Sequence, residues 1–363
     1  MTITHAPAPA PEVSAELPTE APEHERVLIT HGPRSGLTII VAVHSTRLGQ
    51  ALGGARLWRY GHWTDALADA LRLSQAMTLK NAAAGLARGG GKAVIAIPAG
   101  VTLDEARTRD AMLDLGDAVE SLGGAYMTAE DVGTSAELMS VVHERTEFVC
   151  GLPPEQGGVG EPADATAAGV YASILATLDH VFGSPEVAGR HFVVAGLGQV
   201  GGRLARSLAA AGARLTVTDV AQGKRALADE LGAEWVEPGD AHLVEADVFV
   251  PCGLGGVLTP DVARDLRVSA VVGAANNQLA ARDVATMLQR RGIVWAPDFV
   301  VNAGGVIYLD MAGVPGVDQA RLDARIEGIG DTVAAVLRGA GANGSTPLEA
   351  AERLARDRLD AAR

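Results

Sequence analysis

Apolar and polar positions along the chain follow two different rhythms. Residues 27–29 and 37–43 are short apolar runs split by His31-Gly32-Pro33, a pattern that predicts two strands around a turn. Over 64–80 the period becomes helical. Thr64 can cap, Leu67, Leu71, Ser74 and Met77 recur on one face, and Ala66, Ala70 and Leu73 lie beside them. Residues 93–97 form a short apolar strand, 103–121 a second amphipathic helix ended by Gly123-Gly124, and 125–128 a further strand-like run. Beyond residue 190 glycine-rich loops alternate with apolar strands at 192–195, 215–218, 248–250, 270–273 and 294–296, and a helix follows at 200–211. Strands alternating with helices predict parallel β/α/β units. A last helix runs from 347 to about 359, after the Gly341-Ala342-Asn343-Gly344 breaker. Residues 1–23 are rich in Pro, Ala and Glu without period, and read as a disordered tail.

The 363 residues suffice for two domains, and 48% hydrophobic with 20% charged residues is a globular balance. A formal net charge of −14 argues against nucleic acid or an acidic membrane surface as partner. Cys150 and Cys252 are too few for a disulfide scaffold, and no spacing suggests a metal site. The N-terminus lacks the basic start and apolar run of a signal peptide. No stretch approaches about 20 uninterrupted apolar residues, so a soluble, cytoplasmic protein is expected.

The segment from His191 to Asp219 carries Gly196-x-Gly198-x-x-Gly201 between a strand and a helix, and a second strand ending on Asp219. Each part has a physical task. Gly196 makes the tight turn, Gly198 lets the backbone approach a pyrophosphate, and Gly201 permits close helix–strand packing. The helix N-terminus offers N–H donors to phosphate. Asp219 accepts ribose hydroxyls and repels a 2′-phosphate, so the expected cofactor is NAD rather than NADP. Lys224 and Arg225 read as a solvated helix start, not a phosphate clamp.

Only three of the 30 basic residues are lysines: Lys80, Lys92 and Lys224. An arginine stays protonated, so a site needing a titratable amine requires lysine. Lys80 closes a helix in Met77-Thr78-Leu79-Lys80-Asn81. Lys92 follows Gly89-Gly90-Gly91 and enters an apolar strand. Desolvation there, with Lys80 as a neighbouring cation, lowers an amine pKa toward that of a general base. Asp131, in Ala129-Glu130-Asp131-Val132-Gly133-Thr134, is read equally well as an active-site carboxylate or as a helix N-cap.

With these motifs stand Ala51-Leu52-Gly53-Gly54-Ala55-Arg56, Gly273-Ala274-Ala275-Asn276-Asn277 and the run from Ala296 to Gly305. Together, in this order, they resemble the glutamate/leucine/phenylalanine/valine dehydrogenase family from about residue 26 to the C-terminus, closest to the valine, leucine and phenylalanine branches. The resemblance implies an α/β protein of two domains. One is a discontinuous substrate domain, 24–148 plus 325–363. The other is a Rossmann-type doubly wound NAD domain, 149–324, and a cleft lies between them. It further implies that Lys92 activates water, that Asp131 moves a proton at the amino group, and that Lys80 pairs with the substrate carboxylate. Gly54 and Asn276 would lie against the substrate, and Asn276 also orients the nicotinamide. Thr166, Leu197, Gln199, Val200, Cys252, Gly253, Ala274 and Asn302 would join the three motif glycines and Asp219 along the cofactor. The implied protein is a homo-oligomer.

The implied reaction is oxidative deamination of an apolar L-amino acid to a 2-oxo acid and ammonium. Leu52, Met77, Ala129, Val306 and Leu309 are the implied side-chain pocket. The glutamate branch has a lysine where Leu52 stands and a hydroxyl where Leu309 stands, so glutamate is expected to be rejected. Branched-chain aliphatic substrates are favoured over phenylalanine or tryptophan, although Leu309 is a phenylalanine-type residue. A 2-hydroxy-acid dehydrogenase would need a catalytic histidine with an acid and an arginine. His143 and His180 fall on predicted helices and His191 enters a strand, which makes no such set. A non-catalytic NAD-binding protein is the remaining rival, opposed by the intact set of Lys80, Lys92 and Asp131.

Overall fold

The first half of the chain forms strands and helices whose apolar sides explain their order. In the computed structural model β1 is Arg26–His31, β2 Thr38–Ser45, β3 Ala51–Tyr60, α1 Trp63–Ala83, β4 Gly89–Pro98, α2 Glu105–Glu120, β5 Tyr126–Glu130 and α3 Ala136–His143. The structure describes residues 23–312, 314 and 316–362, so the expected tail over 1–23 lies outside them except for Glu23. The five strands take the order β1-β2-β4-β3-β5. β1 and β4 run antiparallel to β2, and β3 runs parallel to both β4 and β5. β2 is buried on both faces, which is why it reads as a continuous apolar run. Ile39 and Val41 pack with Met112, Leu115 and Val119 of α2, while Ile40 and Ala42 pack with Ala66, Ala70 and Leu71 of α1.

β4 begins at Gly89, four residues before the expected strand. The three glycines carry no apolar signal, yet each is a place of close approach. A Cβ on Gly90 would lie 2.1 Å from the Thr78 nitrogen, and one on Gly91 2.5 Å from the Tyr126 ring. α1 can settle on this sheet only because Gly90 is bare, while Gly91 makes room for the Tyr126 ring of β5. β3 was not foreseen as a strand, because its Gly53-Gly54 pair dilutes the alternation.

The second half contains α4 Ala163–Phe182, β6 His191–Ala195, α5 Gln199–Ala210, β7 Arg214–Thr218, α6 Arg225–Leu231, β8 Glu234–Trp235, β9 Val248–Pro251, α7 Pro260–Asp265, β10 Ala270–Val271, α8 Asp283–Arg290, β11 Val294–Trp295, α9 Asp298–Val301, α10 Gly304–Met311, α11 Gln319–Asn343 and α12 Pro347–Ala361. Its six strands are all parallel, in the order β11-β10-β9-β6-β7-β8. Counted from β6, this is the 3-2-1-4-5-6 order of a doubly wound dinucleotide fold. α4 is long and apolar enough to cross a membrane by length and composition. Here Val170, Ile174 and Leu178 are buried, and α4 packs on α11, where Gly169 admits Ile329.

The division of the chain differs from the expected one. Among the described residues, one compact unit comprises 23–81, Ala87–Glu161 and Ala362; the other comprises Ala82–Leu86 and Pro162–Ala361. The boundary thus falls at 161/162 instead of 148/149, and α11 and α12 group with the doubly wound sheet rather than with 24–148. Arg325 and Arg358 donate to the carbonyls of Ala82, Ala83, Ala84 and Gly85, at and just past the end of α1.

Candidate active site

Strand alternation sets the first cluster. Arg56 on β3 is the register partner of Val94 on β4, so Leu52, Gly54 and Arg56 share a face with Lys92. That is the face α1 covers through Ala66 and Ala70. Lys92 is buried, 4% exposed, and its Nζ lies 2.8 Å from Asp131 Oδ2. Burial is the largest influence on Lys92 and pushes its pKa below the ordinary lysine value. Asp131 pulls it back up and the Arg56 charge lowers it again. Arg56 is therefore a cation that presses on this amine.

Asp131 Oδ2 also accepts from Arg56 Nε at 3.0 Å. Burial alone would raise the Asp131 carboxyl, but Lys92 and Arg56 outweigh it and hold the pKa at about 2. The other side of Arg56 is fixed as well. Its Nη1 lies 2.8 Å from Asp69 Oδ2 on α1, which also accepts from the Tyr60 hydroxyl at 2.7 Å. Asp69 Oδ1 accepts from Arg72 at 2.7 Å. The sequence reading missed Asp69 and Tyr60 entirely and quoted Arg56 only as part of a motif. In a chain where arginine is the default cation, nothing singled it out.

The loop after β5 is sewn to β3. The Asp131 N–H donates to Thr134 Oγ1 at 2.8 Å, the Thr134 hydroxyl lies 2.9 Å from the Ala55 carbonyl, and the Leu57 N–H donates to Val132 O at 3.0 Å. Gly133 turns the loop with φ +83°, where a Cβ would strike the Leu57 carbonyl. Gly54 is bare for the same kind of reason. A Cβ there would lie 2.8 Å from Asp131 Cβ and 2.5 Å from Glu130 O. The N-cap of α3 is Ser135, which accepts from Leu138, so Asp131 is not a helix cap. Lys80 is half-buried in the last turn of α1. Leu52 and Ala129 are buried in this unit and Met77 is half-buried, its side chain 3.3 Å from where a Cβ of Gly53 would stand.

The second cluster surrounds the end of β6. Gly196 has φ +107°, and a Cβ there would meet the Gly253 nitrogen at 2.7 Å. A Cβ on Gly201 would lie 2.0 Å from Gly196 O and 2.9 Å from Cys252 Cβ. Gly198, the N-cap of α5, faces open space, so the backbone at the start of Gln199-Val200 can be approached closely. Asp219 is held by two backbone donors, Leu197 N–H at 2.7 Å and Ala221 N–H at 2.8 Å. Half of the carboxylate's acceptor capacity remains for hydroxyls. Burial pushes the Cys252 thiol up to about 11, which leaves it unreactive beside Gly253. Arg225 lies over the Trp235 ring, and Lys224 precedes it in a short turn.

Asn276 sits in a loop fixed at its base. Gln278 donates to Gly273 O and Ala275 O, and the Asn277 N–H donates to Asp298 at 2.7 Å. Asn302 Nδ2 reaches Ala274 O at 3.0 Å and Asn276 Oδ1 at 2.8 Å. The Asn302 Oδ1 atom is buried without a partner among the described residues. A buried orphan acceptor of this kind fits a site that a donor from a cofactor completes. Thr166 on α4 lies close to α10, since a Cβ on Gly305 would be 2.7 Å from its Oγ1. Val306 is buried and Leu309 half-buried on α10, in the same unit. Among the described residues, no group of three or more His, Cys, Asp or Glu side chains could hold a metal ion.

A doubly wound sheet with a bare glycine turn, and a buried lysine on another sheet paired with the carboxylate of the loop beside it, define a dehydrogenase of the two-domain α/β class. Residues 24–148 match the model described as "Glu/Leu/Phe/Val dehydrogenase, dimerisation domain", and 216–362 match "Glutamate/Leucine/Phenylalanine/Valine dehydrogenase". The chain belongs to the Glu/Leu/Phe/Val dehydrogenase family and is an amino-acid dehydrogenase. It is 40% identical over 338 residues to a leucine dehydrogenase of Bacillus cereus, covering 93% of this chain and 91% of the relative. It is 39% identical over 360 residues to a valine dehydrogenase of Streptomyces coelicolor, covering 98% of each. Among solved structures it is similar to L-tryptophan dehydrogenase from Nostoc punctiforme, with TM-score 0.79 and 35% identity over 93% of this chain and 96% of the other. It is also similar to a hetero-hexameric glutamate dehydrogenase from Thermus thermophilus, with TM-score 0.77 and 25% identity over 94% of this chain and 89% of the other.

Proposed function

We propose that the protein is an NAD⁺-dependent dehydrogenase that converts branched-chain aliphatic L-amino acids to 2-oxo acids and ammonium. The observation that carries the deamination is the pairing of buried Lys92 with half-buried Asp131 at 2.8 Å. A buried amine whose pKa is lowered can lose its proton at working pH and take one from water. Lys80 pairs with the substrate carboxylate. Asp131, its carboxyl held well below the ordinary value by Lys92 and Arg56, receives and returns a proton at the amino group. Lys92 takes the proton of the water that attacks the imine carbon, and the carbinolamine then releases ammonia. Asn276 orients the substrate. Gly196, Gly198, Gly201, Asp219, Thr166 and Asn302 would hold the cofactor, which supplies the hydride acceptor for Cα when bound.

Asp219 is the basis for NAD⁺ over NADP⁺. Its carboxylate is fixed by two backbone donors and cannot turn away from a 2′-phosphate. At an effective dielectric near 20, unit charges about 4 Å apart repel by about 4 kcal/mol. Asp219→Ser is expected to narrow the NAD⁺/NADP⁺ ratio in kcat/KM by at least about tenfold, since a third of that repulsion already accounts for it. Equal use of both cofactors by the wild type would remove Asp219 from this role.

The aliphatic preference is supported by the leucine and valine dehydrogenase relatives and by the apolar character of Leu52, Ala129 and Val306. The tryptophan dehydrogenase neighbour favours an aromatic second reading. Steady-state kcat/KM for L-valine, L-leucine, L-phenylalanine, L-tryptophan and L-glutamate decides between them. One methylene is worth about 1–3 kcal/mol in an apolar pocket, so aliphatic substrates are expected to lead by about tenfold. Glutamate is expected to trail by about three orders of magnitude, because its distal carboxylate would be buried unpaired against Leu52. An aromatic lead of tenfold overturns the aliphatic assignment. A homo-oligomer is the proposed assembly, supported by the dimerisation-domain description, and the cytoplasm the proposed compartment.

A further inference from the structure

Lys92 has two opposing demands. To act as a base it must be neutral, yet its closest neighbour is a carboxylate that favours the ammonium form. An isolated buried lysine–carboxylate pair would lock the proton on the amine, because deprotonation would leave the carboxylate buried without a counter-ion. Here the carboxylate has a second cation. Lys92 Nζ and Arg56 Nε both bond Asp131 Oδ2, at 2.8 and 3.0 Å. Arg56 is pinned from behind by Asp69 at 2.8 Å, and Asp69 by Tyr60 and Arg72.

We propose that Arg56 is a positioning residue of the reaction, which shares the Asp131 carboxylate with Lys92 and becomes its counter-ion when Lys92 is neutral. This rests on the deamination assigned above. In the hydrolytic step a water O–H bond breaks, its oxygen bonds the imine carbon, and the proton forms a new N–H bond on Lys92. The carboxylate is then shared between two cations. When Lys92 releases the proton to solvent, the guanidinium alone balances the carboxylate. Arginine suits this role because it does not itself titrate.

The charged and titratable groups around Lys92 act in a defined sense. Asp131 on the loop after β5 and Asp69 on α1 favour the ammonium, whereas Arg56 on β3 opposes it. Tyr60 and Tyr126 are held protonated by burial, and Arg72 is engaged with Asp69. Lys80 lies on α1, and His44 on β2 is bonded to Thr78 with its pKa lowered by burial. Removing Arg56 therefore raises the Lys92 pKa twice over: a repelling cation is lost and Asp131 binds the ammonium undivided.

The test is the titration of Lys92 itself. With three lysines in the chain, ¹³C-lysine labelling yields three ¹³Cε signals, assigned by substituting Lys80 and Lys224. In Arg56→Gln the Lys92 midpoint is expected to rise by about one pH unit or more. In Arg56→Lys, which adds a fourth ¹³Cε signal and keeps a cation at this site while that lysine stays protonated, the Lys92 midpoint is expected to stay within about 0.3 of the wild type. Deamination should follow. At a pH below both midpoints, kcat of Arg56→Gln falls about tenfold per unit of rise, recovers in alkaline buffer, and leaves the amino-acid KM within about twofold. Damage to the fold alone would not recover with pH. Should Arg56→Gln not fold, Arg56→Lys carries the test: a Lys92 midpoint within that range supports the proposal, and a rise of one unit overturns it. An unchanged or lowered midpoint in Arg56→Gln also overturns it. If the wild type deaminates no amino acid, the function assigned above fails, while the order of the NMR midpoints still decides the role of Arg56.

Discussion

Lys92→Ala is expected to lower kcat for deamination by about three orders of magnitude or more, with little change in the amino-acid KM. The amine is buried on β4 beneath α1, 2.8 Å from Asp131, and no other lysine lies on that strand. Deleting a general base costs about 10²–10⁴, and here the same group also carries half of the charge that balances Asp131. Lys92→Arg is not expected to rescue, because guanidinium cannot give up its proton at working pH. Lys80→Ala is expected to do the reverse, raising KM and leaving kcat within about tenfold. The wild-type rate is expected to climb from neutral to alkaline pH as Lys92 loses its proton. Initial rates at saturating amino acid and NAD⁺, on samples matched for melting temperature, give the comparison. A Lys92→Ala enzyme retaining a tenth of the wild-type kcat, or a Lys92→Arg enzyme with full activity, would remove Lys92 from the base role.

The parts of this site that were legible in the sequence are those whose chemistry forces a residue type at a fixed spacing. A titratable amine cannot be replaced by arginine, so Lys92 stood out in a chain with three lysines. The turn after β6 can only be glycine at Gly196 and Gly201, where a Cβ would strike backbone at 2.7 and 2.0 Å, and Asp219 stands at the end of the next strand. Arg56 and Asp69 were illegible for the opposite reason. They are 13 residues apart on different elements and meet only when α1 packs on β3. α4 is legible in the sequence only as a helix around His180, without bounds, because its apolar residues surround it and leave little period for a pattern to register. Helix pattern says nothing of which sheet the C-terminal helices join: α11 packs on α4, where Gly169 admits Ile329, while Arg325 and Arg358 reach the carbonyls at the end of α1.

Asp131→Asn should be the second severe lesion, and it should move Lys92 in the direction opposite to Arg56→Gln. The substitution keeps the shape of the side chain and removes its charge. Buried Lys92 and half-buried Arg56, the latter still paired with Asp69, are then left without the carboxylate they shared, and one of the two can discharge. Arginine cannot, so Lys92 sheds its proton. Its ¹³Cε midpoint is expected to fall by about one pH unit or more below the wild type. A neutral amine alone does not restore the reaction, because the carboxylate that moves a proton at the substrate nitrogen is gone. The kcat is expected to fall about 10²–10³-fold, and alkaline buffer should not recover it. Stability changes with a definite sign. In the wild type the Asp131 carboxyl is held at about 2, below its ordinary value near 3.8. Its contribution is present at neutral pH and is lost as pH falls from about 4 toward 2. Asp131→Asn has no such acid loss. Its Lys92, folded with a lowered pKa, binds the proton less readily than the unfolded chain does. Stability should therefore rise with pH between the lowered midpoint and the ordinary lysine value. Urea unfolding at pH 3, 7 and 9.5 measures this. If the midpoint rises in Asp131→Asn, or kcat stays within tenfold of the wild type, the shared carboxylate does not hold the charge balance of this site.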